Sequence, residues 1–227
     1  MTNKTTEDYL KAIYQVDAEQ KGAGTTELAE RLGVAPASVT GMLKKLASLN
    51  LVTYTRYQGV ALTSAGRAIA LDVLRRHRLA ERYLADVLGL SWDRVHAEAE
   101  EWEHVLSEDV AARMDEALGW PATDPHGEPI PSAAGDVPAL TDTPLARVQP
   151  TESARVARVA SEDAEFLRYL GELGIYPEIA LTVLSIAPFG GPVTVEVEGR
   201  RHAIGRAVAE KVFVIDIAPA EAQEDAL

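Results

Sequence analysis

The turn Gly33-Val34-Ala35, with Pro36 directly after it, constrains the fold of this chain more than any other feature. Proline suits the first position of a helix, where its missing N–H is not needed. The turn therefore separates a short helix over about Thr26–Leu32 from a second over Pro36–Leu49. Leu28, Ala29 and Leu32 face inward on the first, and Val39, Met42, Leu43 and Leu46 on the second. Upstream, Thr5 or Thr6 can cap a helix running to about Gln20, with Leu10, Ile13, Tyr14 and Val16 apolar and Gly22-Ala-Gly24 as its breaker. Downstream, Asn50 ends the third helix, and Leu51–Tyr54 and Val60–Leu62 read as short strands around the turn Arg56-Tyr57-Gln58-Gly59. Three helices and a hairpin in this order form a winged helix-turn-helix.

Such a module reads DNA with its second turn-helix. Ser38 and Thr40 are placed to reach base edges, and Lys44 and Lys45 to reach phosphates. Thr26, Pro36, Ala37 and Gly41 complete the candidate DNA-facing set on the helices, and Arg56 and Tyr57 supply it from the wing. The same small fold also serves protein contacts, so charge must decide. The net charge of −13 argues against nucleic acid only until it is divided along the chain. Residues 1–62 carry a net +1, residues 63–144 a net −9 and residues 145–227 a net −5. Only the first third is not repelled by a phosphate backbone. No apolar run approaches the ~20 residues of a membrane span, and the N-terminus lacks a signal-peptide pattern, so a cytoplasmic protein with no membrane partner is expected.

The acid of the middle third has a pattern. From Ser64 to Leu88 the chain reads as one long helix closed by Gly89, with His77 and Glu81 one turn apart on one face. A second helix is expected over Ser91–Leu106. At ~100° per residue, Val95, Ala99, Trp102 and Leu106 form an apolar stripe within ~40°, and His96, Glu100, Glu103 and His104 a second stripe beside it. Glu98 and Glu101 point elsewhere. Carboxylates and imidazoles lining a buried edge repel unless a cation joins them; the plain alternative is a solvated charged face. The chain has no cysteine, which excludes thiolate sites and leaves oxygen and nitrogen donors, suited to manganese, iron or zinc. Ser107 can cap a further helix, Glu108 to Leu118, ended by Gly119 and Pro121. Its apolar edge of Val110, Met114, Ala117 and Leu118 suits pairing with a second copy.

Asp124 to Pro150, rich in Pro, Gly, Asp and Thr, reads as a linker. Beyond it, Ala180–Ile186, Val193–Val197, Arg201–Ile204 and Val212–Ile217 are strands, with a short helix between Glu162 and Gly174. These predict a small SH3-like β-barrel, followed by an acidic tail. The expected layout is a mainly α chain with a small β part: a DNA-binding domain over 1–63, a helical metal-binding and dimerisation domain over 64–122, a linker over 123–150 and the barrel domain over 151–227.

The strings Thr5-Thr-Glu-Asp-Tyr-Leu-Lys-Ala-Ile-Tyr14, Arg76-His-Arg-Leu-Ala-Glu-Arg82, Glu101-Trp-Glu-His-Val-Leu-Ser107 and Gly127-Glu-Pro-Ile-Pro131 resemble those of the diphtheria toxin repressor family, metal-dependent transcriptional regulators. The likeness spans nearly the whole chain and lies with the manganese-responsive branch. It implies a primary site of Asp8, Glu100, Glu103 and His104, with carboxylates where the iron-responsive branch has methionine and cysteine. Mn²⁺ is then the implied ion, with Fe²⁺ as the alternative. It implies an ancillary site of His77, Glu81 and His96, completed from the barrel domain by Glu162 and Glu165, hence two metal sites per subunit. Palindromic operator DNA, a homodimer and metal-homeostasis genes are the implied partners and targets. Asp8, three residues after Thr5, can instead serve as a capping acid. Lys11 is a departure: short, barrel-less manganese regulators have a carboxylate there, so their close two-metal cluster is not expected.

Two rivals remain at this point. Glu101-Trp-Glu-His104 has the Glu-x-x-His spacing of di-metal carboxylate enzymes, which need two such motifs and two further glutamates. A metal-independent winged-helix regulator sensing an organic ligand would need an apolar pocket in the middle domain.

Overall fold

The computed structural model describes residues 3–19, 24–55 and 59–220. They divide into two compact units: residues 3–19, 24–55, 59–80, 99–117 and 130–137 form the first, and 81–98, 118–129 and 138–220 the second. In the first, α1 (Lys4–Glu19), α2 (Thr25–Leu32) and α3 (Pro36–Ser48) precede the hairpin of β1 (Val52–Thr55) and β2 (Gly59–Leu62). Leu10, Ile13, Leu28, Val39, Leu43, Leu46, Val52 and Val60 close one core, the apolar set of the helical and strand periodicities. Gly33 ends α2 in the left-handed region (φ 63°), and Pro36 opens α3 at its first turn. The N-terminal cap differs from expectation. Asn3 accepts from the Thr6 N–H at 2.9 Å, so Thr5 already lies inside α1 and Asp8 is not its capping acid. That leaves the Asp8 carboxylate for another task.

A long helix, α4 (Ser64–Asp86), follows the hairpin. Its start is fitted closely to the wing: a Cβ on Gly66 would stand 2.0 Å from the Leu51 carbonyl oxygen. Next, α5 covers only Val95–Trp102, shorter than the expected Ser91–Leu106. Ser91–Arg94 is turn, with the Arg94 N–H on the Ser91 carbonyl at 2.9 Å. After Trp102 the chain unwinds, although the Glu103 N–H still donates to the Ala99 carbonyl at 2.9 Å. Then α6 (Glu108–Ala117) is capped by Ser107, whose hydroxyl accepts from the Val110 N–H.

The second unit is built on an antiparallel sheet of order β3-β8-β4-β5-β6-β7. The strands are β3 (Thr143–Pro144), β4 (Glu152–Val159), β5 (Ala180–Ile186), β6 (Val193–Val197), β7 (Arg200–Ile204) and β8 (Val212–Pro219). Two short helices, α7 (Ala164–Glu172) and α8 (Arg206–Ala209), complete it. Alternate residues of β4, β6 and β8 point inward, among them Val156, Val193, Val195, Val212 and Val214, and meet Leu167 and Leu170 of α7. Asp163 caps α7 by accepting from the Glu165 and Phe166 N–H groups, which holds its carboxyl below the usual range. The stretch expected as a linker is ordered: Leu145, Ala146 and Val148 belong to the core, and Thr123 bridges Pro129 across a tight turn. Among the described residues no helix is long and apolar enough to cross a membrane.

Candidate metal centres and nucleic-acid interface

In the first unit, α1 and the turn after α5 bring Asp8, Glu103 and His104 together, with one donor atom of each within 4.8 Å of the others. Glu103 is fully buried. Its carboxylate meets His77 Nδ1 at 2.5 Å and Lys11 Nζ at 2.8 Å, and its Oε1 lies 3.2 Å from His104 Nε2. His104 Nδ1 faces Glu7 Oε2 at 2.8 Å. A carboxylate only accepts, so Nδ1 carries a proton towards Glu7, and Nε2 is the nitrogen left to face the site. Nε2 lies 2.8 Å from Asp8 Oδ1, yet neither atom has a hydrogen-bond partner and both are buried. A buried polar atom left without a partner costs on the order of 1–3 kcal/mol. A divalent cation between the two atoms removes that cost, so the donor set fits a metal. Burial raises the Asp8 pKa, an effect reduced by His104 and Lys11 and reinforced by Glu103 and Glu100.

Glu100 is placed differently from the other three expected primary ligands. Its Oε1 accepts from Lys11 Nζ at 2.6 Å and lies 3.8 Å from His77 Nδ1. Glu101 is exposed, as the helical face requires, and pairs with Lys4 at 3.2 Å. His77, expected in the ancillary set, is buried and lies beside Glu103 in the first unit.

In the second unit, Glu81, His96 and Glu162 of the expected ancillary set meet: His96 Nδ1 is 3.2 Å from Glu81 Oε1, and His96 Nε2 is 3.8 Å from Glu162 Oε2. Glu165 is exposed on the first turn of α7 and joins no metal-capable group among the described residues. In its stead the unit assembles Glu81, Asp124 and His126, only 2%, 3% and 4% exposed. His126 Nε2 lies 2.7 Å from the Trp92 carbonyl oxygen and must donate to it, which leaves Nδ1 to face the site, 3.9 Å from Glu81 Oε1. Asp124 Oδ1 accepts from the His126 and Glu128 N–H groups and so holds the turn. Gly127 completes it at φ 87°, where a Cβ would stand 2.1 Å from the Ala157 carbonyl oxygen. Sequence reading missed Asp124 and His126 because they lie in a turn without periodicity; the one signal was a histidine flanked by Pro125 and Gly127.

On the DNA-reading module, Thr26, Pro36, Ala37, Ser38, Gly41, Lys44 and Lys45 are exposed and Thr40 is half-buried. The Thr40 hydroxyl donates to the Pro36 carbonyl at 3.1 Å, which leaves its lone pairs to accept from a base. Arg56 and Tyr57 lie outside the described residues. Lysines on a phosphate backbone release counterions, so the double variant Lys44→Ala/Lys45→Ala is expected to reduce the slope of log affinity against log salt by about 2 per reader domain bound, about 4 for a dimer, measured by fluorescence anisotropy on operator DNA.

Three family descriptions match in the order of the architecture. "Iron dependent repressor, N-terminal DNA binding domain" covers residues 1–60, "Iron dependent repressor, metal binding and dimerisation domain" covers 63–132, and "FeoA domain" covers 143–216. The iron-dependent repressor IdeR of Mycobacterium tuberculosis is 37% identical over 210 residues, 87% of this chain and 90% of that one. The diphtheria toxin repressor of Corynebacterium diphtheriae is 38% identical over 127 residues, 56% of each chain. Among solved structures, a manganese-dependent transcriptional repressor in complex with manganese superposes with a TM-score of 0.84 at 37% identity, covering 92% of this chain and 99% of the other. The manganese regulator SloR does so at 0.76 and 31%, covering 95% and 99%. These relatives are regulators rather than enzymes, which sets aside the di-metal carboxylate enzyme. The chain belongs to the diphtheria toxin repressor family of metal-dependent, DNA-binding transcriptional repressors.

Proposed function

We propose that this chain is a Mn²⁺-activated repressor, also responsive to Fe²⁺, that binds a palindromic operator as a homodimer in the cytoplasm and takes up two ions per subunit. The primary ion is held by Asp8, Glu103 and His104, and the second by Glu81, Asp124 and His126 with His96 and Glu162 beside them. The observation that carries this reading is the buried, unsatisfied pair of Asp8 Oδ1 and His104 Nε2 at 2.8 Å. Oxygen and nitrogen donors without sulfur favour a harder ion, and discrimination against Zn²⁺ then rests on coordination number.

A bound divalent cation supplies the positive charge that lets Asp8 and Glu103 share a buried space. Asp8 belongs to α1, which packs directly on α2 of the reader, whereas Glu103 and His104 follow α5. Drawing these side chains together fixes α1 and with it the reader helices. Two recognition helices must enter major grooves one DNA turn apart, so a fixed α1 favours the DNA-competent dimer. Operator binding in chelated buffer is expected to be about 5–150-fold weaker than with Mn²⁺. Equal affinity in both conditions would refute the reading. The second site has its own check. His126→Ala is expected to lower the Mn²⁺ bound per subunit from two to one by equilibrium dialysis, and an unchanged count would remove His126 from the ligands.

A further inference from the structure

Lys11 lies one turn beyond Asp8 on α1, and its side chain is only 8% exposed. Its ammonium has three protons and three acceptors: Glu100 Oε1 at 2.6 Å and both oxygens of Glu103 at 2.8 Å. Three carboxylate oxygens around one nitrogen need all three of its protons, so the contacts are those of the ammonium form. Among the described residues this ammonium is the nearest fixed cation to the fully buried Glu103. A carboxylate so placed needs a counter-charge whether or not metal is present. Glu103 Oε1 also faces His104 Nε2 at 3.2 Å, so one oxygen serves both the lysine and the donor set of the primary site.

We propose that Lys11 is a built-in counter-ion that sets the divalent-ion demand of the α1 site. Its ammonium fills the cation position between Glu100 and Glu103, limits the site to one divalent ion and competes with that ion for Glu103. The metal threshold of the repressor is thereby set by a residue that is not a ligand. This inference rests on the metal-sensor reading above and deepens it.

The test is a Mn²⁺ titration of the full chain by calorimetry, with ion counting by equilibrium dialysis, on wild type, Lys11→Met and Lys11→Glu. Thermal unfolding in chelator accompanies it. Lys11→Met keeps the apolar stem and removes the charge. It is expected to bind Mn²⁺ at the α1 site about tenfold more tightly while unfolding at lower temperature in chelator, because Glu100 and Glu103 lose their counter-charge. Lys11→Glu is expected to raise the count by one ion per subunit. A purely structural lysine would give weaker binding in Lys11→Met and an unchanged count in Lys11→Glu, and that result overturns the proposal. If Lys11→Met does not fold without metal, the ion count of Lys11→Glu in Mn²⁺ decides alone. Wild type that takes up no Mn²⁺ at all overturns the metal-sensor reading instead, so the two failures are distinguishable.

Discussion

Glu103→Ala is expected to abolish the gain in operator affinity that Mn²⁺ confers, a loss of about 5–150-fold in the metal-loaded state. The fully buried Glu103 carboxylate joins four side chains: Lys11 and His77 contact it, His104 Nε2 lies 3.2 Å away, and Asp8 shares its donor group. Its removal takes an anionic ligand from the primary site and also leaves the Lys11 ammonium with Glu100 alone. The second effect destabilises the fold by itself, since breaking a buried ion pair costs about 3–5 kcal/mol. His104→Gln separates the two. It removes the imidazole Nε2 without touching the Lys11 contacts, so it should cancel the Mn²⁺ dependence while the metal-free protein unfolds much as wild type does. Anisotropy titrations on operator DNA, with chelator and with Mn²⁺, read both variants. Metal dependence retained in both would remove this site from the mechanism.

The largest effect on stability is expected at Gly127. Its φ of 87° lies where side chains other than glycine are strained, and a Cβ there would stand 2.1 Å from the Ala157 carbonyl oxygen and 2.7 Å from the Arg158 Cα. The obstacle is backbone on both counts, so neither neighbour can rotate away. The Val159 N–H donates to the His126 carbonyl at 2.9 Å, and Arg158 is held by Asp142 and Glu128. Gly127→Ala must therefore move the turn off β4 and cost about 3 kcal/mol. The turn carries Asp124 and His126, so the same variant should lose the second ion. Urea denaturation and Mn²⁺ counting test both expectations, and a wild-type midpoint with two ions bound would show that the turn tolerates the methyl group.

The DNA-reading module was legible because its signals are local. Pro36, Gly33 and the spacing of Val39, Leu43 and Leu46 each act within one helical turn, and the observed α2, α3 and hairpin follow them. The meeting of Glu103 and His104 with Asp8 was legible for a partly mistaken reason. A continuous helical stripe placed Glu103 and His104 beside the apolar edge, but the helix ends at Trp102 and the following turn positions them. The Ala99–Glu103 backbone bond persists, and that keeps the helical estimate nearly right for Glu103.

What was not legible depends on partners distant in sequence. Lys11 read only as a departure from a family pattern, since its acceptors lie 89 and 92 residues away. Glu7 was not singled out at all, although its carboxylate accepts from Nδ1 of a histidine 97 residues on. Asp124 and His126 sat in a stretch whose composition suggests a linker. Burial there comes from close approach of a glycine turn to a strand, a fact of packing rather than of periodicity. Glu162 and Glu165 share a sequence spacing of one turn, yet the helix begins only at Ala164, so Glu162 stands before it beside His96 and Glu165 does not join.

Anomalous scattering from a crystal of the full chain grown with Mn²⁺, recorded at the manganese edge, locates the ion itself. The account predicts a peak bounded by Asp8 Oδ1, a Glu103 carboxylate oxygen and His104 Nε2, with Lys11 still on Glu100. Crystals with operator-competent protein and manganese elsewhere, but no peak between those three side chains, would contradict it.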